Sequence, residues 1–226
     1  MSLSRLVPLA IVLCLLAGVA NAGDLLITGT FTQDDQLQVF LFSAPSASVL
    51  LRTWSYAGGT ITGTGGPLDG TVIAAGGFDP VLTLFDATYG FGPLNPYVAD
   101  NNDGAGVDPD PVNGYSFDSL LFLTGLDMGH TYALVLSQND NTHKGTSYGD
   151  GFSQAGQGNF TSTEFGCNDG APFCQGPFQA NLDGHWAVEI SGVGGVASAP
   201  EPGSALLLAA GAAALALLRR RRKHSH

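Results

Sequence analysis

Positive charge is scarce in this chain, and most of it sits at the two ends. Eight Lys and Arg stand against nineteen Asp and Glu, and only Arg52 and Lys144 fall in the body of the sequence. Eighteen acids run from Asp24 to Glu189, so the body carries a net charge of about −16. Such a surface excludes nucleic acid and anionic lipid as partners, because neither can be held without clustered Lys and Arg. Cations are compatible with it, and so is the simpler role of keeping a secreted protein soluble. Cysteine is nearly missing as well: Cys14, Cys167 and Cys174 are the full set. Catalytic signatures are absent too. His130, His143 and His185 belong to no HExxH, no G-x-S-x-G occurs, and no cysteine stands apart as a nucleophile. Two placed carboxylates would make a glycosidase, but among eighteen acids chance pairs are common and none stands out. The body is read as non-catalytic.

A long helical period is also lacking between residues 24 and 193. Glycine is abundant, at 32 residues, and short apolar or alternating runs recur between turn signals. That pattern predicts an all-β protein, a jelly-roll-like β-sandwich. Strands are expected over 25–32, 37–43, 48–56, 81–86, 97–99, 119–123, 132–138 and 186–191. Tyr132, Leu134 and Leu136 fall on one face and Ala133, Val135 and Ser137 on the other, which marks a central strand covered on both sides. A single core is expected. Three stretches read as loops: 57–77, 100–114 and 139–184. The last is long enough to need its own aromatics (Phe152, Phe160, Phe165, Phe173, Phe178) to stay ordered.

The ends read as delivery instructions. Arg5, an apolar stretch and Ala20-Asn21-Ala22 make residues 1–22 a signal peptide with an A-x-A cleavage site. Cys14 follows Leu13, so it sits in no lipobox. The mature chain then has one β-sandwich domain over 23–191, followed by a Gly-rich flexible linker over 192–199. Within 200–223 come Pro200, Glu201 and Pro202, an apolar segment over 203–218, and Arg219, Arg220, Arg221, Arg222 and Lys223. The prolines remove two amide donors and hold the backbone extended. A helix over 203–218 reaches only about 24 Å against a hydrocarbon core of about 30 Å. It is a short transmembrane helix, fit for brief anchoring, with the basic cluster on the cytoplasmic side.

This tail resembles the PEP-CTERM sorting signal of Gram-negative bacteria, with Ala199 where valine is commonest. The resemblance implies an exosortase-type membrane protease as partner, transient inner-membrane anchoring, cleavage near the motif, and display at the cell surface or in the extracellular matrix. The same kind of tail is also labelled an ice-binding-protein C-terminal domain. Thr60, Thr62 and Thr64 lie amid glycines and make no extended flat face, so ice binding is not expected of the body. A second resemblance rests on Gly77-Phe78-Asp79-Pro80-Val81-Leu82-Thr83-Leu84-Phe85-Asp86, Asn102-Asp103-Gly104, Asp118-Ser119-Leu120 and Gly129-His130-Thr131-Tyr132. These are similar to the bacterial pre-peptidase C-terminal domain, a jelly-roll-like sandwich. Ser137-Gln138-Asn139-Asp140-Asn141, Asn159-Phe160-Thr161 and His185-Trp186-Ala187-Val188 are similar to an uncharacterised exported family that often bears such tails. Neither implies catalytic residues.

Three candidate sites follow. In an oxidising compartment Cys167 and Cys174 read as a disulfide, contributing about 2.5 kcal/mol by loop closure; a metal pair is the alternative. Asp100, Asn102, Asp103, Asp108 and Asp110 crowd one loop rich in oxygen donors, the kind calcium takes. Gly104 stands at the fifth position of that loop, where an EF-hand places a ligand, and the alternative is a solvated turn cluster capping its own backbone. Tyr89, Tyr97 and Tyr115 lie in or beside loops and offer rings for stacking on sugar, with exopolysaccharide as the implied partner; core packing is the alternative.

Overall fold

The computed structural model describes residues 23–63, 66–167, 170–174 and 182–198. Among these residues ten strands appear in chain order: β1 (Gly23–Thr30), β2 (Gln38–Ser43), β3 (Ser48–Thr53), β4 (Gly59–Thr60), β5 (Val72–Ile73), β6 (Pro80–Asp86), β7 (Tyr97–Asn102), β8 (Leu120–Thr124), β9 (Thr131–Gln138) and β10 (His185–Ser198). Among the described residues there is one α-helix, α1 (Phe160–Phe165), which closes on Gly166 in the left-handed conformation. Every pairing between these strands is antiparallel. One layer runs β1-β10-β3-β8 and the other β7-β6-β9-β2-β10, so β10 belongs to both. The protein is an all-β sandwich.

Strand alternation builds the core. Phe40 and Phe42 face Leu134 and Tyr132 across the β2–β9 ladder, and Leu82 and Leu84 face Leu136 and Leu134 across β6–β9. From the opposite layer come Leu51, Leu121, Trp186, Val188 and Ile190, all buried in the same cluster. Each such side chain contributes about 1.5–3 kcal/mol on leaving water. β9 is central in its layer, as its doubly apolar pattern requires. Its outer face does not meet solvent: Ala133 and Val135 pack with Val39, Phe85 and Phe152 in a second cluster. A third cluster, Trp54, Ile61 and Ala187, sits outside the other layer beneath the β4–β5 hairpin. The single core expected is therefore one main core with two satellites, because long loops fold back over both sheets.

The eight expected strands are present, with shifted ends. The sequence pattern did not announce β4, β5 or α1, which lie in stretches read as loops. The larger correction concerns residues 192–199, expected to be a flexible linker. Residues 192–198 instead continue β10, where Gly194, Val196, Ala197 and Ser198 pair with Ser43, Phe42, Leu41 and Phe40. Gly192 and Gly195, at φ of 78° and 60°, and a register shift between Gly194 and Val196 turn the strand from one layer into the other. A side chain at either glycine would be strained in that conformation. The signal peptide at 1–22, the sorting motif at 200–202, the apolar segment at 203–218 and Phe178 lie outside the described residues. Among the described residues no helix is long and apolar enough to cross a membrane.

Candidate functional site

The residues singled out from the sequence occupy separate places, and most already have partners. Cys167 and Cys174 form a disulfide with Cα atoms 6.2 Å apart. It ties the chain after α1 to the segment holding Phe173, whose ring stacks on Phe78 at 5.2–5.3 Å spacing in a run with Phe31. Of the loop aromatics, Phe152, Phe160 and Phe173 are buried and Phe165 is exposed.

In the acidic loop four of the five side chains are held by separate neighbours. Asp100 accepts from the Tyr97 hydroxyl, and Asn102 Nδ2 donates to Asn139 Oδ1 at 2.9 Å. Asp103 is itself left-handed, at φ 67°, and burial pushes its carboxyl up. Asp108 pairs with Arg52 at 3.1 Å, and the same guanidinium lies 3.6 Å over the Trp54 ring. Buried Asp110 accepts the amides of Val112 and Asn113 through Oδ1, which is an Asx turn. Four of the five thus bond to separate partners. Among the described residues no group of three His, Cys, Asp or Glu is placed to hold a metal ion.

The tyrosines divide similarly. Tyr97 stacks on His143 with centroids 5.6 Å apart and planes 6° apart, and meets Phe85 edge-on. Burial, then the Asp100 carboxylate, pushes its hydroxyl up to about 12. Tyr115 stacks on Phe117 at 5.2 Å and 3°. Each therefore has one ring face engaged. Tyr89 is different: its relative exposure is 102%. It stands on a tight turn where the Gly90 amide donates to the Ala87 carbonyl. With Phe91, Pro93, Leu94 and Asn95 it lines an open groove of about 460 Å³. Leu94, at 89%, is almost as exposed. The groove floor is firm. Phe91 packs on Tyr148 at 4.7 Å, and the Asn95 side chain closes the loop through the Gly92 amide and the Gly90 carbonyl.

Asp86, at the end of β6, borders this groove. Its Oδ1 accepts from the Thr88 amide and hydroxyl, and its Oδ2 lies 3.2 Å from His130 Nδ1. Burial pushes the carboxyl up, but the Thr88 donors and the His130 imidazole outweigh it, so the group titrates below its ordinary 3.8. A carboxyl lowered by folding stabilises the protein above its unfolded value, and that stabilisation is lost as pH falls through the folded value. Thermal melts from pH 7 to pH 3 are therefore expected to show a decline below about pH 4 that Asp86→Asn makes shallower. An unchanged slope in that variant would contradict the assignment.

Other polar groups are spent inside the fold. Buried Glu189 accepts from Trp54 Nε1 at 2.9 Å, and His143 Nε2 lies 2.8 Å from the Ser147 carbonyl. Two buried carboxylates hold loops: Asp118 binds the turn after β3, and Asp34 binds the α1 region. The Asp-x-Thr spacing at Asp86 is a local turn signal that was available in the sequence. Asp34 and Asp118 had none, since their partners lie far along the chain.

A β-sandwich whose chain runs from its last strand directly into a sorting tail is an exported protein delivered by that tail. The comparison with protein families finds the PEP-CTERM protein-sorting motif at residues 198–223. The chain carries that motif, and sorting through exosortase on the way to the cell surface follows from it. No curated protein and no solved structure matches the chain.

Proposed function

We propose that the mature body is a non-catalytic structural or adhesive module, displayed at the cell surface or in the extracellular matrix. The observation that carries this reading is the division of labour among its side chains. Carboxylates and histidines bind the body's own loops, whereas Tyr89 and Leu94 stand out into solvent beside one groove. Exposed rings on a stiff loop suit adhesion, because they lose little freedom when covered. Retention of the protein in the matrix tests this. The double variant Tyr89→Ala, Leu94→Ala is expected to keep its melting temperature within about 2 °C, since surface changes usually stay within ±0.5 kcal/mol. Its release into the medium is expected to rise several-fold. Unchanged retention, or turnover in a hydrolase screen of the purified body, counts against the proposal.

A second reading is recognition of a neutral polysaccharide at the same groove, with exopolysaccharide as the partner class. It is favoured by the fully exposed Tyr89 ring beside Phe91. A glycan array probed with and without a calcium chelator separates its parts. Signal lost in Tyr89→Ala supports the ring, and signal lost on chelation supports a bridging calcium ion.

A further inference from the structure

The sorting motif begins where the fold ends. β10 runs to Ser198, the motif match starts at Ser198, and Pro200 is two residues further on. No spacer separates the sandwich from the signal that a membrane protease has to read.

The two halves of β10 are built differently. Over 185–193 the strand pairs with β1, over 188–191 it pairs with β3 on its other side as well, and Trp186, Val188 and Ile190 are buried in the main core. Over 194–198 it has one partner among the described residues, β2. There Gly195 and Ala197 are exposed and Val196 is only half-buried. Three glycines, at 192, 194 and 195, weaken a strand by leaving it little to pack. Its side-chain fastenings are Val196, packed against the main core, and the Ser43 hydroxyl, which donates to the Gly194 carbonyl. A one-sided, glycine-rich end of this kind belongs to the low-stability part of a fold, which opens without global unfolding.

Proteases and other strand readers take their peptide extended, through main-chain N–H and C=O groups on either side of the motif. Upstream of Pro200 those groups are now bonded to β2. Reach sets a second demand. From Ser198 to Gly203, where the apolar segment begins, five residues span at most about 18 Å; from Gly194 the nine span about 32 Å. With the pairing intact, a body of about −16 net charge is therefore held close to the headgroups of the membrane. Releasing the strand nearly doubles the tether.

We propose that residues 194–198 are a strap: β2 holds it in the folded body and yields it to the sorting protease as the upstream part of the substrate strand. The strap rests on the sorting role of the tail. After cleavage the shortened end returns to β2, leaving a mature C-terminus seated in the sheet.

A cross-strand lock tests the proposal. Leu41 and Ala197 are register partners on the outer face of their layer, at a position suited to a disulfide. The full chain is expressed in a host with an exosortase, and conversion of precursor to product is followed by gel shift and intact mass. Leu41→Cys, Ala197→Cys, oxidised, is expected to slow conversion at least about tenfold relative to either single variant, and reduction to restore it. A flexible insert of about ten Gly and Ser residues after Ser198, with a span of roughly 17 Å, is expected to rescue the locked chain. Conversion of the locked chain at the wild-type rate overturns the strap, as does a locked chain that the insert fails to rescue. A wild-type chain that stays full length overturns the sorting role itself and the strap with it.

Discussion

Replacing Asp118 by alanine is expected to lower the melting temperature of the mature body by roughly 8–16 °C, the equivalent of about 4 kcal/mol in a domain of this size. Asp118 is buried, and its carboxylate accepts four hydrogen bonds. Thr53 Oγ1 and the amides of Ser55 and Tyr56 donate to Oδ1 at 2.7–3.2 Å, and the amide of Ala57 donates to Oδ2 at 2.8 Å. Three consecutive amides converging on one side chain make the turn that leaves β3 and carries Trp54 to its place outside the sheet. Alanine strands all four donors away from water, and each buried orphan costs about 1–3 kcal/mol before relaxation. Asp118→Asn separates charge from geometry. Its amide oxygen keeps the Oδ1 partners, while its NH₂ group opposes the Ala57 amide, so roughly half the loss is expected. Urea unfolding measures both. A loss under about 1 kcal/mol for the alanine variant would mean that the turn is held by something else.

Asp34→Ala is expected to undock the α1 region, at about 3 kcal/mol, while leaving the disulfide closed. Oδ2 of this fully buried carboxylate accepts from the amide and hydroxyl of Thr161, and Oδ1 accepts from the Phe173 amide at 2.6 Å. The Thr161 hydroxyl in turn accepts from the Cys174 amide at 3.0 Å. One carboxylate therefore grips both sides of the Cys167–Cys174 loop. The neighbouring Asp35 adds the Gly158 amide at 3.0 Å. Limited proteolysis under native conditions is the measurement. New cuts within 158–174 are expected in the variant and not in the wild-type protein, with the disulfide still present by mass. Without Asp34, the Phe173 ring leaves its stack on Phe78, so the main core loosens with the loop. Resistance equal to wild type would show that the disulfide alone orders this segment.

Both variants bear on how the acidity of the body is understood. From the sequence its eighteen acids form one undifferentiated charge, fit for solubility or for a cation. In the fold, Asp34, Asp110 and Asp118 are internal braces and Asp86 is a turn cap, while most of the other described acids lie at the surface. Strands were legible because each writes its burial into a period of two: Tyr132, Leu134 and Leu136 inward, Ala133, Val135 and Ser137 outward. Bracing acids write no such period. The donors to Asp34 come from residues 161 and 173, and those to Asp118 from residues 53–57. The end of β10 misled for a related reason. Glycine-rich sequence ordinarily signals a linker, but pairing with β2 uses backbone groups that any residue supplies, and glycine alone permits the turn between layers at 192 and 195. Among the tyrosines, only the folded chain could separate exposed Tyr89 from Tyr97, whose stacking partner His143 arrives from 46 positions away.

The sequence by itself determined the sorting motif, the all-β class and the cysteine pair, since each depends on residue types at short, regular spacing. Only the tertiary structure decided which acids lie inside, which ring faces outward, and that the last strand clasps β2 up to the edge of the sorting motif. Those outcomes depend on contacts between distant segments, where hydrogen-bond donors and packing surfaces meet only after the two layers have closed.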